Sequence, residues 1–184
     1  MKKVLSSIAI VAAGLFVASC GNKNATSTAN KEGQAEQAAE GFTTYTNDKF
    51  GYSVDVPDWM TRHDPEMGDG NGTIYLSNPD DMLDINRIDI GAYNDSFDEA
   101  FTPERVKSRF ESDIEDLNNV TEKECGDTYY TFTRKSEEDG HITMTKNLFK
   151  DKKYVVVTID YDADKADKLG GDVAKHIFNS ITIK

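Results

Sequence analysis

A chain of 184 residues has room for one folded domain plus tails. Its 33 acidic side chains outweigh 21 basic ones, for a formal charge of −12, so the surface repels phosphate backbones and argues against nucleic acid as a partner. Anionic lipid headgroups are an equally poor target, and any membrane attachment has to come from an anchor.

The chain opens on Met1-Lys2-Lys3, a positive start, followed by a mostly apolar run from Val4 to Val17. That run has the length of a signal-peptide core and is shorter than the ~20 residues that span a bilayer. Val17-Ala18-Ser19-Cys20 then resembles the lipobox of bacterial lipoproteins. The resemblance implies a diacylglyceryl thioether on Cys20, cleavage before it so that residues 1–19 are lost, and acylation of the new amino group. Two or more acyl chains anchor stably, whereas one binds only marginally. Removing residues 1–19 also removes two lysines and leaves the mature chain more acidic still. Gly21 rather than Asp follows the cysteine, which by the same resemblance favours the outer membrane in a Gram-negative host.

Residues 20–41 carry the lipid site and a stretch without aromatic, Leu, Ile or Val side chains. Such a segment buries too little apolar surface to offset the entropy of ordering, and it is read as a flexible tether spanning roughly 25 Å. Residues 42–184 form the single domain, large enough to bury about two thirds of its unfolded surface.

Phe50, Tyr52, Val54 and Val56 alternate with polar neighbours up to Pro57, which predicts a half-buried strand. Residues 43–46 can pair with it across Asn47-Asp48. Residues 73–77, after the glycine-rich stretch 68–72, and residues 85–92 are further strands. Ser96 and Glu99 have capping-box spacing, and Thr102-Pro103 starts or restarts a helix whose stripe is Val106, Phe110, Ile114 and Leu117. Asn118-Asn119 ends it.

Three strands follow, over 129–134, 142–149 and 154–161, joined by short polar loops as in hairpins. Val155, Val157 and Ile159 face one way while Tyr154 and Val156 face the other, the mark of a central strand covered on both sides. Ala166, Leu169, Gly170, Val173, Ala174, Ile177 and Phe178 make one helical stripe. Gly170 within it costs roughly 1 kcal/mol against alanine, which close approach to the sheet can offset. Ile181 and Ile183 form a last short strand.

The stretch Asp48-Lys49-Phe50-Gly51-Tyr52-Ser53-Val54-Asp55-Val56-Pro57-Asp58-Trp59 resembles the opening hairpin of the PsbP-like family, and Ile177-Phe178-Asn179-Ser180-Ile181 resembles its end. The family is named for an extrinsic subunit of photosystem II. Its fold is shared by a Ran-binding nuclear-import factor and several bacterial lipoproteins. The resemblance implies an α+β domain, an antiparallel sheet of about six strands flanked by helices on both faces in an α/β/α sandwich. It carries no catalytic residues, and its known members mostly bind proteins or assist membrane complexes.

The chemistry-bearing residues are scattered. With Cys20 acylated, Cys125 has no disulfide partner in the chain and is either a buried apolar filler, the commoner case for a free cysteine, or an intermolecular thiol. His63, His141 and His176 form no ligating pair. His-Glu-x-x-His, Cys-x-x-Cys and Gly-x-Ser-x-Gly do not occur. Asp160, Asp162 and Asp164 mimic the start of a calcium loop, but Lys165 and Gly171 stand where it needs glycine and glutamate, so Asp162 or Asp164 is read as a helix cap. Asp80-Asp81, Glu111 with Glu115, and Glu137-Glu138-Asp139 are solvated surface, and Trp59 after Pro57 could stack on a sugar or meet a partner but is more often a core plug. No catalytic residue, metal site or cofactor is expected. The reading is a lipid-anchored, non-catalytic binding or accessory module of the cell envelope with a protein partner there. An envelope hydrolase with an unrecognised site and a divalent-cation-binding acidic domain are the alternatives.

Overall fold

The computed structural model describes residues 39–63, 74–78 and 86–184. The signal sequence, Cys20, nearly all of the tether, the glycine-rich stretch 68–72 and Asp80-Asp81 lie outside the described residues.

Strands β1 (Phe42–Asn47) and β2 (Tyr52–Pro57) form an antiparallel hairpin from Phe42 opposite Pro57 to Asn47 opposite Tyr52. Its turn is built locally: Asn47 Oδ1 accepts the Phe50 amide at 3.2 Å, and Gly51 takes a φ of 70° that a side chain would resist. The alternation buries Tyr52, Val54 and Val56. The last strand, β10 (Thr182–Ile183), pairs with the other edge of β2 and completes a three-stranded sheet.

The larger sheet holds β3 (Thr61–His63), β4 (Ile74–Ser77), β5 (Arg87–Asn94), β6 (Val120–Cys125), β7 (Tyr129–Lys135), β8 (Ile142–Lys150) and β9 (Lys153–Tyr161). Its order is β3-β4-β5-β9-β8-β7-β6, antiparallel throughout, and β9 is central as its two apolar faces require. Val155, Val157, Ile159 and Tyr161 join Ile88 and Ile90 in the main core. Over them lie α2 (Ala166–Leu169) and α3 (Gly171–Ser180), which contribute Leu169, Ala174, Ile177 and Phe178, with the apolar row of β2 beside them. The opposite face holds a smaller cluster, Tyr130 and Phe149 beneath Val106 of α1 (Pro103–Glu115), flanked by Phe101, Phe110 and Tyr154. The architecture is thus α+β, antiparallel, with helices on both faces. Each fully buried large aliphatic side chain is worth about 1.5–3 kcal/mol.

Two lysines on the main-core face tie the layers together. Lys146 Nζ donates to the Phe178 carbonyl in the last turn of α3 at 2.8 Å, and Lys150 Nζ to the Ile183 carbonyl of β10 at 2.9 Å. A lysine satisfies the orphan carbonyls of a helix end and the negative end of its dipole. Burial pushes the Lys146 pKa down.

The stripe expected as one final helix is broken. Gly170 is extended (φ −94°, ψ −170°) between α2 and α3, and a Cβ there would meet both Tyr161 Oη and the Ala166 carbonyl at 2.8 Å. Close approach to β9 does keep the glycine. Gly170→Ala is expected to cost about 1–3 kcal/mol by overpacking, read as a lower midpoint in urea melts.

Four local expectations are corrected. Ser96 and Glu99 form no helix cap: Asp95 Oδ2 accepts the Phe97 and Glu99 amides at 3.0 Å each, and α1 starts only at Pro103, where Thr102 Oγ1 accepts the Arg105 amide. The Asp95 carboxylate also holds Arg105 at 2.8 Å, which fastens this loop to the helix. Neither Asp162 nor Asp164 makes a side-chain cap, because Asp162 Oδ1 faces His141 Nδ1 at 3.4 Å and Asp164 pairs with Lys165. Cys125 is exposed, since β6 is an edge strand whose charged sequence is largely solvated. Trp59 is 38% exposed with Lys168 Nζ 5.9 Å above its ring. Met60 fills the core there instead, its amide bonded to the Pro57 carbonyl at 3.2 Å.

Candidate functional site

Helix α1 lies against β6 and β7 and covers only part of its face of the sheet. Strand alternation decides what is left open. On β8 the residues of that face are Thr143, Thr145, Asn147 and Phe149, paired in register with Asp160, Thr158, Val156 and Tyr154 of β9. The aromatic end lies under α1, and the hydroxyl and amide residues floor a cleft of about 440 Å³ beside it. Thr145 and Asn147 are 7% and 4% exposed, polar groups buried where a sheet normally places apolar ones.

One wall is aromatic and cationic. Tyr154 stacks on Tyr93 with centroids 5.1 Å apart, and the Tyr93 ring lies across Gly91, where a Cβ would come within 2.8 Å of its hydroxyl. The Arg109 guanidinium sits 4.3 Å above the Tyr154 ring, and its Nη2 donates to Tyr154 Oη at 3.0 Å. Arg109 Nε is 4.0 Å from Asp113 Oδ2, which also accepts the Tyr130 phenol. Arg134 of β7 closes the far end, where the cleft meets a second groove of about 550 Å³.

Burial, together with the hydrogen bond to Asp113, pushes the Tyr130 pKa well up. The folded state then keeps a proton that the unfolded chain loses near its ordinary value of about 10, so stability falls as pH rises past that point. Tyr130→Phe is expected to lose about 1 kcal/mol near neutrality. Above about pH 10 it should show a shallower loss of stability than the parent in urea melts between about pH 7 and 11. Part of the slope remains, because Tyr129 and Tyr161 are also raised, by the bond to Glu124 and by burial respectively.

The second groove contains His141, whose Nε2 is 3.6 Å from Asp160 Oδ1 and whose Nδ1 is 3.4 Å from Asp162 Oδ1. Thr143 Oγ1 donates to Asp160 Oδ1 at 2.7 Å. The other two histidines lie with different partners, His63 with Ser77 and His176 with Asp55, both at 3.0 Å. Among the described residues no group of three His, Cys, Asp or Glu side chains is placed to hold a metal ion, and no helix is long and apolar enough to cross a membrane.

No protein-family model matches the sequence, and no curated protein does. Among solved structures, cyanobacterial PsbP from Synechocystis superposes with a TM-score of 0.59, over 84% of this chain and 99% of that one, at 13% identity. The fold is PsbP-like. Looser matches are LpqN of Mycobacterium tuberculosis, described as involved in cell envelope biogenesis (TM-score 0.49, 16% identity, 78% of this chain and 90% of that one), and the Saccharomyces cerevisiae Ran-binding protein Mog1p (0.45, 12%, 77% and 95%). At such identities the likeness speaks for the PsbP-like fold alone, and the cleft has to be read from its own residues.

Sequence reasoning singled out none of the residues lining this cleft as functional. The signal that was present is the run Thr143, Thr145, Asn147, three polar residues at alternate positions opposite Ile142, Met144 and Leu148. In a PsbP-like sheet covered on both sides, such a row marks a face that is only half roofed.

Proposed function

We propose that this chain is a lipoprotein held in the cell envelope by lipid on Cys20, at the outer membrane in a Gram-negative host. Its PsbP-like domain is a non-catalytic binding or accessory module serving a partner there. The observation that carries the binding role is the α1–sheet cleft, where buried Thr145 and Asn147 and two arginines converge. A cleft of a few hundred Å³ with a few convergent polar groups and aromatic walls is what small-ligand and side-chain recognition uses.

A hydrolytic reading is the weaker one. A hydroxyl nucleophile must hand its proton to a base such as imidazole, yet Thr143 gives its hydrogen to Asp160, a weak base. Divalent-cation binding is disfavoured by the two guanidiniums that line the cleft.

The test is capture from envelope extracts with the mature lipoprotein, alongside Asn147→Leu, which keeps the volume and removes the polar group. The reading expects a component enriched by the parent, or a thermal shift from the extract, that the variant loses. Empty captures with no stabilisation would overturn it.

A further inference from the structure

We propose that the cleft takes a small organic carboxylate of about dipeptide length, its carboxylate held by Arg134 and a second polar group by Asn147. This deepens the binding-module reading and rests on it. Three observations carry the chemistry.

The Arg134 side chain makes no hydrogen bond or ion pair to any described residue, and its Nε, like that of Arg109, is enclosed without a hydrogen-bond acceptor. In a chain with 33 acidic side chains, a half-buried guanidinium left unpaired is set apart from Arg87, Arg105 and Arg109, each of which meets a carboxylate. A guanidinium fork matches a carboxylate bidentately. Asn147 is 4% exposed, lines the cleft, and its amide likewise bonds to no described residue. An amide that opens into a cleft without a protein partner keeps its donors and acceptor free for a ligand. The lining also has a local charge opposite to that of the whole molecule, two guanidiniums against the single carboxylate of Asp113.

The register sets the ligand's length and direction. Arg134 is paired with Thr143, and Thr143 stands about 14 Å from Asn147 along β8 at ~3.4 Å per residue. An arginine reaching inward along this row leaves a span of roughly 7 Å, the length of two residues of extended chain. The ligand body runs from Arg134 into the cleft and not outward, because the adjoining groove carries Asp116, Glu137 and Glu138 and repels an anion. Thr145 and Thr158 are placed to bond its middle, and Tyr154 to face its apolar side.

Free peptide carboxylates and uronic acids share this chemistry. The experiment titrates the mature lipoprotein in detergent micelles with Ala-Ala, its C-terminal amide, digalacturonate and uncharged lactose. It follows the NMR signals of the Arg134 Nε–H and the Asn147 side-chain amide. One of the two acids is expected to move both signals, which names the source. Arg134→Gln and, for the peptide, amidation should each weaken binding at least ~10-fold. Asn147→Leu, which leaves the arginine in place, should weaken it less. If neither acid moves the Arg134 signal, or the amide binds as well as the acid, the carboxylate proposal is wrong. Lactose moving the Asn147 amide alone would sink the carboxylate and leave the binding-module reading standing. Silence from all four probes would sink the carboxylate too, with the extract capture then deciding the wider reading.

Discussion

A Cys20→Ser chain is expected to leave the membrane fraction almost completely. The formal charge of the chain is −12, and no described helix is long and apolar enough to cross a membrane. Electrostatics would push such a surface from anionic headgroups, so on the proposed anchoring attachment would rest on the acyl chains, each buried CH₂ contributing about 0.8 kcal/mol. One chain alone binds reversibly, and the proposed thioether diacylglyceryl group would supply two. Fractionation of cells expressing parent and variant, with metabolic labelling by palmitate, reads the outcome. A parent that takes up no label, or a variant that stays in the membrane after a carbonate wash, would refute the anchor. The folded domain is expected to melt at the same temperature in both, because the tether lies before its first strand.

Ile177→Ala is expected to cost about 3 kcal/mol, within the ~2–5 kcal/mol seen for such truncations. Ile177 is fully buried in α3, in one cluster with Leu169, Val157, Ile159 and the β2 row. It stands where helix, small sheet and large sheet meet, so the cavity cannot close by moving one neighbour. Net stabilities are about 5–15 kcal/mol, so the loss is a large fraction of the whole. A fall in melting temperature of roughly 10 °C follows for a domain of this size. Lys175→Ala, on the solvated side of the same helix, should change stability by less than about 0.5 kcal/mol. If the two variants melt alike, α3 does not hold the core together.

The cleft, by contrast, was barely legible. Thr143, Thr145 and Asn147 could be placed on one face of a strand from their spacing, but not shown to be buried, because burial depends on what roofs that face. Arg109 and Arg134 read as ordinary surface charges until the register set Arg134 opposite Thr143 and α1 brought Arg109 over Tyr154. Cys125 misled for the same reason. Residue type favours burial for a free cysteine, and its place on the edge strand β6 overrides that preference. The strand itself escaped notice because Val120–Cys125 is half charged, as an edge that must not pair with other chains tends to be.

What the sequence determined alone is whatever rests on local periodicity and local chemistry. The strand alternation around Tyr52, the two-sided β9, the stripe of α1 and the proline at its start all follow from side chains a few positions apart. The tertiary structure decided what depends on distant partners. It paired β10 with β2 to make a second sheet, broke the last stripe at Gly170 because Tyr161 leaves no room for a Cβ, and let α1 roof only part of the sheet. Pairing and coverage are set by contacts between segments far apart in the chain, which no short window of sequence contains.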